Sequence, residues 1–456
     1  MRQPSQAPHR AFDFHDAVNG SQFFRMKNIP ALVLAFWTFQ GVTAVLAAQG
    51  PAPLPLKQAE EIAVRNHPRI SAAELRALAA KQVTVEARAP FFPNIYANAT
   101  AVGTSDSNTR IAAGALNNPS IFERNAEGLT VSQTITDFGR TLNLARSAKL
   151  HERAEQENSL ATRLDILMQV DTSYFRALGA QAVLRVAQET VNTRQLLLDQ
   201  VSVMASNKLR SDLDVSFAAV ALGEGNLLLS RAGNDVQAAF ANLANLLGYR
   251  DQHGFLLLEE PMPPAASTND ESLVQLALQQ RPELIQARLE RDAAARFAKA
   301  EKDARYPTIS AIGTVGAVPI RDERLPANYA AAGVNLSLPL YTGGLLAARQ
   351  REAELRAKAA EETLLDQENN IIREVRVAWL NANNALERWH ISQQLLSQAR
   401  LSFELAQARY KGGLSSMVEL SQAQLNVTAA EIEQASAKYE YQIQRAVLDY
   451  QVGTAK

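Results

Sequence analysis

The chain has 456 residues, a net charge of −1, 20% charged residues, 6% aromatic residues and no cysteine. That excludes a disulfide scaffold, a zinc–cysteine site and a thiol nucleophile, leaves no residue for cysteine lipidation, and shows no basic footprint for nucleic acid. Hydrophobic residues reach 47% with few aromatics, and the many alanines among them suit long, closely packed helices better than a thick globular core.

Residues 1–25 read as a polar, irregular N-terminal extension. Residues 26–48 read as a secretory signal: Met26-Lys27, an apolar run from Ile29, and small residues at Val45-Leu46-Ala47-Ala48. A retained membrane anchor is the alternative. The small residues and the lack of a following basic cluster favour cleavage, with Met26 as the initiator. No other stretch is expected to form a transmembrane helix.

From residue 54 the chain is written twice. His67-Pro68-Arg69-Ile70 matches Arg281-Pro282-Glu283-Leu284, and Phe92-Pro93 matches Tyr306-Pro307, both at an offset of 214. Asp137-Phe138-Gly139 matches Tyr341-Thr342-Gly343 at 204, and Leu209 matches Leu414 at 205. The first repeat spans 54–260, a proline-rich linker 261–270, and the second repeat 271–456. Each begins with a helix, about 56–88 and about 271–304, ended by Pro90/Pro93 or Pro307. Two strands follow, at Asn94–Val102 with Leu129–Thr136, and at Thr308–Val318 with Val334–Leu338.

No proline occurs from Ser120 to Glu260, or from Leu340 to the end, so these spans predict nearly continuous helix. Ala353, Ala357, Ala360, Leu364, Ile371, Ala378, Ala382, Ala385 and Trp389 fall on one coiled-coil seam. The long helices, about 141–206 and 345–411, would each measure about 100 Å at 1.5 Å per residue. Two shorter helices of one half sum to a similar length, which predicts a wall of antiparallel helices of equal height.

In the strand before Phe138, Leu129, Val131 and Ile135 face one way and Thr130, Ser132, Thr134 and Thr136 the other. Apolar-out, hydroxyl-in strands suit a transmembrane barrel with a wet lumen; a half-buried soluble sheet shows the same alternation. Four strands cannot close a barrel, and an open edge in lipid leaves backbone groups unsatisfied. Membrane strands would therefore require several copies of the chain. Phe91, Phe92, Phe138, Tyr306 and Tyr341 sit in the helix–strand turns, where an aromatic belt or ordinary turn chemistry both place such residues. Gly139, Gly343 and Gly344 permit the turn into the helix.

These turns, in order and spacing, together with Arg409-Tyr410-Lys411-Gly412-Gly413-Leu414-Ser415-Ser416, resemble the TolC-like outer-membrane efflux protein family over residues 54–453. The resemblance implies a mainly α fold with a transmembrane β-barrel part: a homotrimer whose twelve-stranded barrel continues into an α-helical periplasmic tube. It implies docking to a periplasmic adaptor protein and an inner-membrane transporter of RND, ABC or MFS type. It also implies contact with outer-membrane lipid, no cofactor, and export of small molecules or protein. The barrel–tube junction falls on Phe92, Pro93, Phe138 and Gly139, and on Tyr306, Pro307, Tyr341, Gly343 and Gly344. The adaptor-docking tips fall on Lys208, Leu209, Arg210 and Ser211, and on Gly412, Gly413, Leu414, Ser415 and Ser416. Asp214 and Glu419 would form acidic rings at the periplasmic entrance, although acids in a first helical turn also stabilise any helix through its dipole. Gln422 stands where relatives often carry a second acid, and Lys208 where they carry glycine.

No catalytic motif is visible. His9, His15, His67, His151, His253 and His390 read as scattered, none at metal-ligand spacing with an acid. His67 and His390 read as helix-surface residues. The rival to an export duct is a soluble periplasmic coiled-coil protein, structural or adaptor, which would need neither the four strands nor two hairpins in duplicate.

Overall fold

A computed structural model describes residues 53–102, 124–251, 254–267, 269–320 and 326–454. The expected extension, 1–25, and signal, 26–48, lie outside the described residues.

The chain opens with a short strand, β1 (Pro53–Leu54), and two helices, α1 (Leu56–Asn66) and α2 (Pro68–Arg88). The single helix expected over 56–88 is therefore broken. Proline disfavours a helical conformation in the residue before it, and His67 is extended at φ −74°, ψ 121°. Its imidazole accepts a hydrogen bond from the Arg69 amide at 3.2 Å and caps α2. His67 is 7% exposed, so it is a buried cap rather than a surface residue, and burial lowers its pKa. A single turn at Ala89–Phe91 leads into β2 (Asn94–Val102), then β3 (Arg124–Thr136), α3 (Arg140–Ser206) and α4 (Asp212–Leu246).

After β4 (Leu256–Leu257) the order recurs: α5 (Asp270–Gln280), α6 (Pro282–Asp303), β5 (Thr308–Ile320), β6 (Asn328–Ser337), α7 (Leu345–Lys411) and α8 (Met417–Val452). The expected helix over 271–304 is likewise split, at Arg281 before Pro282, where Arg281 is extended. In place of a cap Arg281 makes ion pairs, at 2.8 Å to Glu374 and 3.2 Å to Glu283.

α3 and α7 are both 67 residues long, about 100 Å at 1.5 Å per residue. α2 and α4 pack along α3, α6 and α8 along α7, and α3 also meets α6 and α8. The expected layer of short helices beside long ones is thus formed. On the seam of α7, Ala353, Leu364, Ile371, Ala378, Ala382 and Ala385 are buried, while Ala357, Ala360 and Trp389 are half-buried. Small residues there let the helix axes approach closely.

One register expectation is corrected. Helix starts at Arg140 and Leu345 differ by 205 residues, and the caps at Gly139 and Gly344 keep that offset. The left-handed pair is Phe138 (φ 55°) with Gly139 (φ 106°) in one half, and Gly343 (φ 61°) with Gly344 (φ 83°) in the other. Phe138 therefore corresponds to Gly343, not to Thr342. An aromatic residue occupies a conformation that sequence logic reserves for glycine.

A second correction concerns α4. It is long and apolar enough to cross a membrane, by length and composition only. Its apolar residues are not confined to one stripe: Leu213, Phe217, Val220 and Leu227 are exposed, while Ala218, Ala221 and Leu243 are buried. The helix lies along α3.

The middle of the helical layer holds the thickest core. Tyr174, Ile166, Val170, Leu243 and Leu247 are fully buried there. The Tyr174 hydroxyl donates toward Leu54 O (2.7 Å) and Leu258 O (2.8 Å), and accepts from Leu258 N (3.0 Å). It fastens the parallel β1–β4 pair onto α3. The stretch after β4 is held to the second repeat by Tyr441 Oη donating to Pro264 O at 2.8 Å and Trp379 Nε1 donating to Ser267 O at 2.7 Å.

Candidate functional site

The four long strands form one antiparallel sheet in the order β2-β3-β5-β6. The β3–β5 pair joins the two repeats. Register alignment puts Leu129, Val315 and Ala330 in one row and Val131, Gly313 and Ala332 in the next. Ile95, Val131, Leu129, Val315, Val334 and Leu336 share this face, and all are exposed. The opposite face carries Asn94, Asn98, Thr130, Ser132, Thr134, Ser310, Thr314 and Asn335. No described residue covers the apolar face, and β2 and β6 each have an unpaired edge. A water-soluble sheet buries such a face; a lipid-facing sheet shows it.

The expected junction residues are brought together at one end of this sheet, where β2 and β5 begin and β3 and β6 end. Phe92, Phe138, Tyr306 and Tyr341 are exposed there, and the Phe138 and Tyr306 rings lie 5.9 Å apart. Pro93 and Pro307 precede the first strand residues, Asn94 and Thr308. Asp137 caps the turn, accepting from Gly139 N (3.2 Å), Thr141 N (2.7 Å) and Thr141 Oγ1 (2.5 Å). Beneath it, buried Asn143 donates to Asp303 at 2.7 Å and ties α3 to the end of α6.

The other end of the long helices carries the two tip turns. Lys208 (φ 58°) and Gly413 (φ 71°) occupy the same left-handed position, so the lysine adopts the backbone that glycine supplies in the second half. Ser211 caps α4 in a reciprocal capping box: it accepts from Asp214 N at 3.3 Å, and the Asp214 carboxylate accepts from Ser211 N at 3.2 Å. Ser416 caps α8 through Glu419 N at 3.3 Å, and the Glu419 carboxylate lies 3.5 Å from Arg409. Gln422 is exposed and donates to Asn426 at 3.1 Å. Lys208, Leu209, Gly412, Gly413, Leu414 and Ser416 are exposed, and Ser415 is half-buried.

Arg210 is half-buried. Its guanidinium lies 4.1 Å over the Tyr410 ring and donates to Tyr410 O at 2.8 Å. It links the first hairpin's turn to the last turn of α7. Tyr410 is 4% exposed, and burial pushes its phenol up. This link joins residues 200 apart, and no local pattern announces it.

A cavity of about 560 Å³ opens between α1, α3, α8 and the stretch after β4, lined by Glu60, Asp171, Glu260, Gln442, Arg445 and Asp449 among others. Burial first, and the Glu60 charge second, push the Asp171 carboxyl up to about 8.

The histidine expectation is also corrected. His151 stands one turn before Glu155 on α3, and Glu290 of α6 faces both, with one ligand atom from each lying within 4.8 Å of the others. The His–Glu spacing of four was readable; the third residue comes from another helix.

The outer membrane efflux protein family model matches residues 61–249 and 273–454, most of the chain and in two stretches. The outer membrane protein TolC of Salmonella enteritidis is 25% identical over 424 residues, covering 88% of this chain and 83% of that protein. The pyoverdine export outer membrane protein OpmQ of Pseudomonas aeruginosa is 25% identical over 382 residues, covering 81% and 78%. A solved membrane protein from Pseudomonas aeruginosa superposes with a TM-score of 0.77 at 21% identity, over 87% of this chain and 90% of that one. The chain belongs to the outer membrane efflux protein family. It is an outer-membrane efflux channel that extends into the periplasm.

Proposed function

We propose that three copies of the chain pair β6 of one with β2 of the next into a closed twelve-stranded barrel. The helices then form the periplasmic wall of the same duct. The observation that carries this reading is the exposed apolar face on a four-stranded sheet with two open edges. In hydrocarbon each unpaired backbone group costs several kcal/mol, and closure with other copies removes both edges. The tips, from Asn207 to Ser211 and from Lys411 to Ser416, are the periplasmic entrance and dock an adaptor. The adaptor connects them to an energised transporter of RND, ABC or MFS type. The cargo is a small molecule or a secreted protein. Asp214 and Glu419 act as entrance acids, since each stands in the first turn after a tip, Glu419 exposed and Asp214 half-buried. A soluble coiled-coil adaptor or scaffold accounts for the helices but not for the apolar sheet face.

The chain has no cysteine, which makes cross-linking clean. One cysteine at Ala97 in β2 and a second scanned through Ala330, Ala332 and Val334 in β6 should give a covalent trimer on oxidation. Monomer at every position, together with release as a soluble protein by osmotic shock, would sink the duct. In planar bilayers Glu419→Lys should shift the reversal potential toward anions; an unchanged potential removes Glu419 from the entrance.

A further inference from the structure

Some carboxylates along the helices are matched by a cation. Glu152 pairs with Lys149, Glu368 with Arg288, Glu374 with Arg281 and Glu431 with Arg400. Among the described residues neither Glu155 nor Glu290 makes an ion pair with lysine or arginine. Both instead face His151, whose Nδ1 lies 2.7 Å from Glu290 Oε1. His151 and Glu155 share one face of α3 because they are four residues apart, and Glu290 projects from α6. The Asn158 amide donates to Glu155 Oε2 at 3.1 Å, fixing one oxygen and leaving the other free. This is the kind of outer contact that orients a metal-binding carboxylate.

We propose that His151, Glu155 and Glu290 bind one first-row divalent transition cation per chain, of the Zn²⁺ class. One imidazole and two carboxylates form a three-ligand set that leaves a fourth position for water. The imidazole favours Zn²⁺, Co²⁺, Ni²⁺ or Cu²⁺ over Mg²⁺ or Ca²⁺, which take oxygen ligands. Metal–ligand bonds of about 2.0–2.2 Å require the ligand atoms to sit closer together than their present spread, at most 4.8 Å. His151 is exposed and the two glutamates half-buried, so side-chain rotation alone can close the set. The His151–Glu290 hydrogen bond holds the pair in place until the cation replaces its proton.

The site stands eleven residues into α3, about 16 Å from the sheet end at 1.5 Å per residue. It joins a helix of the first repeat to one of the second, so a bound cation clamps the two halves below the barrel. The repeat does not duplicate it. The positions matching His151 and Glu155 are Arg356 and Ala360, and the one matching Glu290 is Arg76. The site needs neither the barrel nor the cargo, so its failure leaves the duct reading intact.

The test uses the full-length protein in detergent, purified through a tag without histidine and washed with chelator. Equilibrium dialysis against Zn²⁺, and visible absorption with Co²⁺, should show one saturable equivalent per chain. His151→Ala and Glu290→Gln should each weaken binding at least tenfold, while His390→Ala binds like the wild type. Zn²⁺ should also raise the unfolding temperature of the wild type and not of His151→Ala. Each variant is first matched to the wild type in metal-free unfolding, with Glu155→Gln substituting for one that fails. Absence of saturable uptake by the wild type, or uptake untouched by His151→Ala, overturns the proposal.

Discussion

Arg210 offers the most direct handle on the proposed entrance. Its guanidinium covers the Tyr410 ring at 4.1 Å and donates to the Tyr410 carbonyl at 2.8 Å. A cation–π contact near the surface contributes about 0.5–1 kcal/mol, and a hydrogen bond from a charged donor about 1.5 kcal/mol at the lower end. Removing both should shift the balance between latched and separated hairpins by about 2 kcal/mol, or roughly thirtyfold. Arg210→Ala channels in planar bilayers should therefore spend about thirtyfold more time open relative to closed, by this estimate. Arg210→Lys keeps the charge but loses the planar fork, and should fall between the two. An Arg210→Ala channel with an open-to-closed ratio within about twofold of the wild type would refute the latch, provided its unfolding temperature is unchanged.

Three further outcomes follow from the geometry. Tyr174→Phe strands Leu258 O and leaves the Leu258 amide only its long 3.5 Å bond to Leu54 O, so that amide should exchange with solvent about tenfold faster, the equivalent of about 1–1.5 kcal/mol; unchanged exchange would show that the hydroxyl does not hold β1 and β4. Val334→Arg places a charge on the apolar sheet face, where it costs about 2–4 kcal/mol at mid-membrane depth, and should cut the yield of folded oligomer, whereas Ser132→Arg on the opposite face should assemble and change ion selectivity instead. The Asp171 carboxyl is raised in the folded chain, so its contribution to stability is full below the ordinary aspartate range and is lost as pH rises through about 8. The unfolding temperature should fall from about pH 4 to about pH 8 and level off above it, and Asp171→Asn should flatten that slope; an unchanged slope points to other groups.

Much of this architecture is legible because proline-free, alanine-seamed helices declare themselves. The two long helices fall within one residue of their sequence-based limits. The strands are legible because hydroxyl and apolar residues alternate without interruption from Leu129 to Ser132. The breaks at His67 and Arg281 are not, because proline at a first helical position continues the apolar rhythm while it ends the previous helix. The one-residue register error arises because Phe138 holds a left-handed backbone that only the surrounding turn enforces. Arg210 and Glu290 escape for a different reason: long side chains choose partners across helices, and their positions in sequence say nothing of which helix lies opposite. His67 escapes because a histidine can cap a helix as an acceptor while its ring is buried.

The matched 67-residue helices also restrict how such a duct can change in evolution. A four-residue insertion in α3 alone would lift one tip turn by about 6 Å at 1.5 Å per residue and rotate its hairpin against α7. Arg210 would then miss Tyr410, and Ser211 would no longer stand level with Ser416. Length can therefore change only by simultaneous, equal insertions in both long helices and in the shorter helices beside them. Single insertions are confined to the segments that leave the layer, so the reach of the tube is the least adjustable property of the chain.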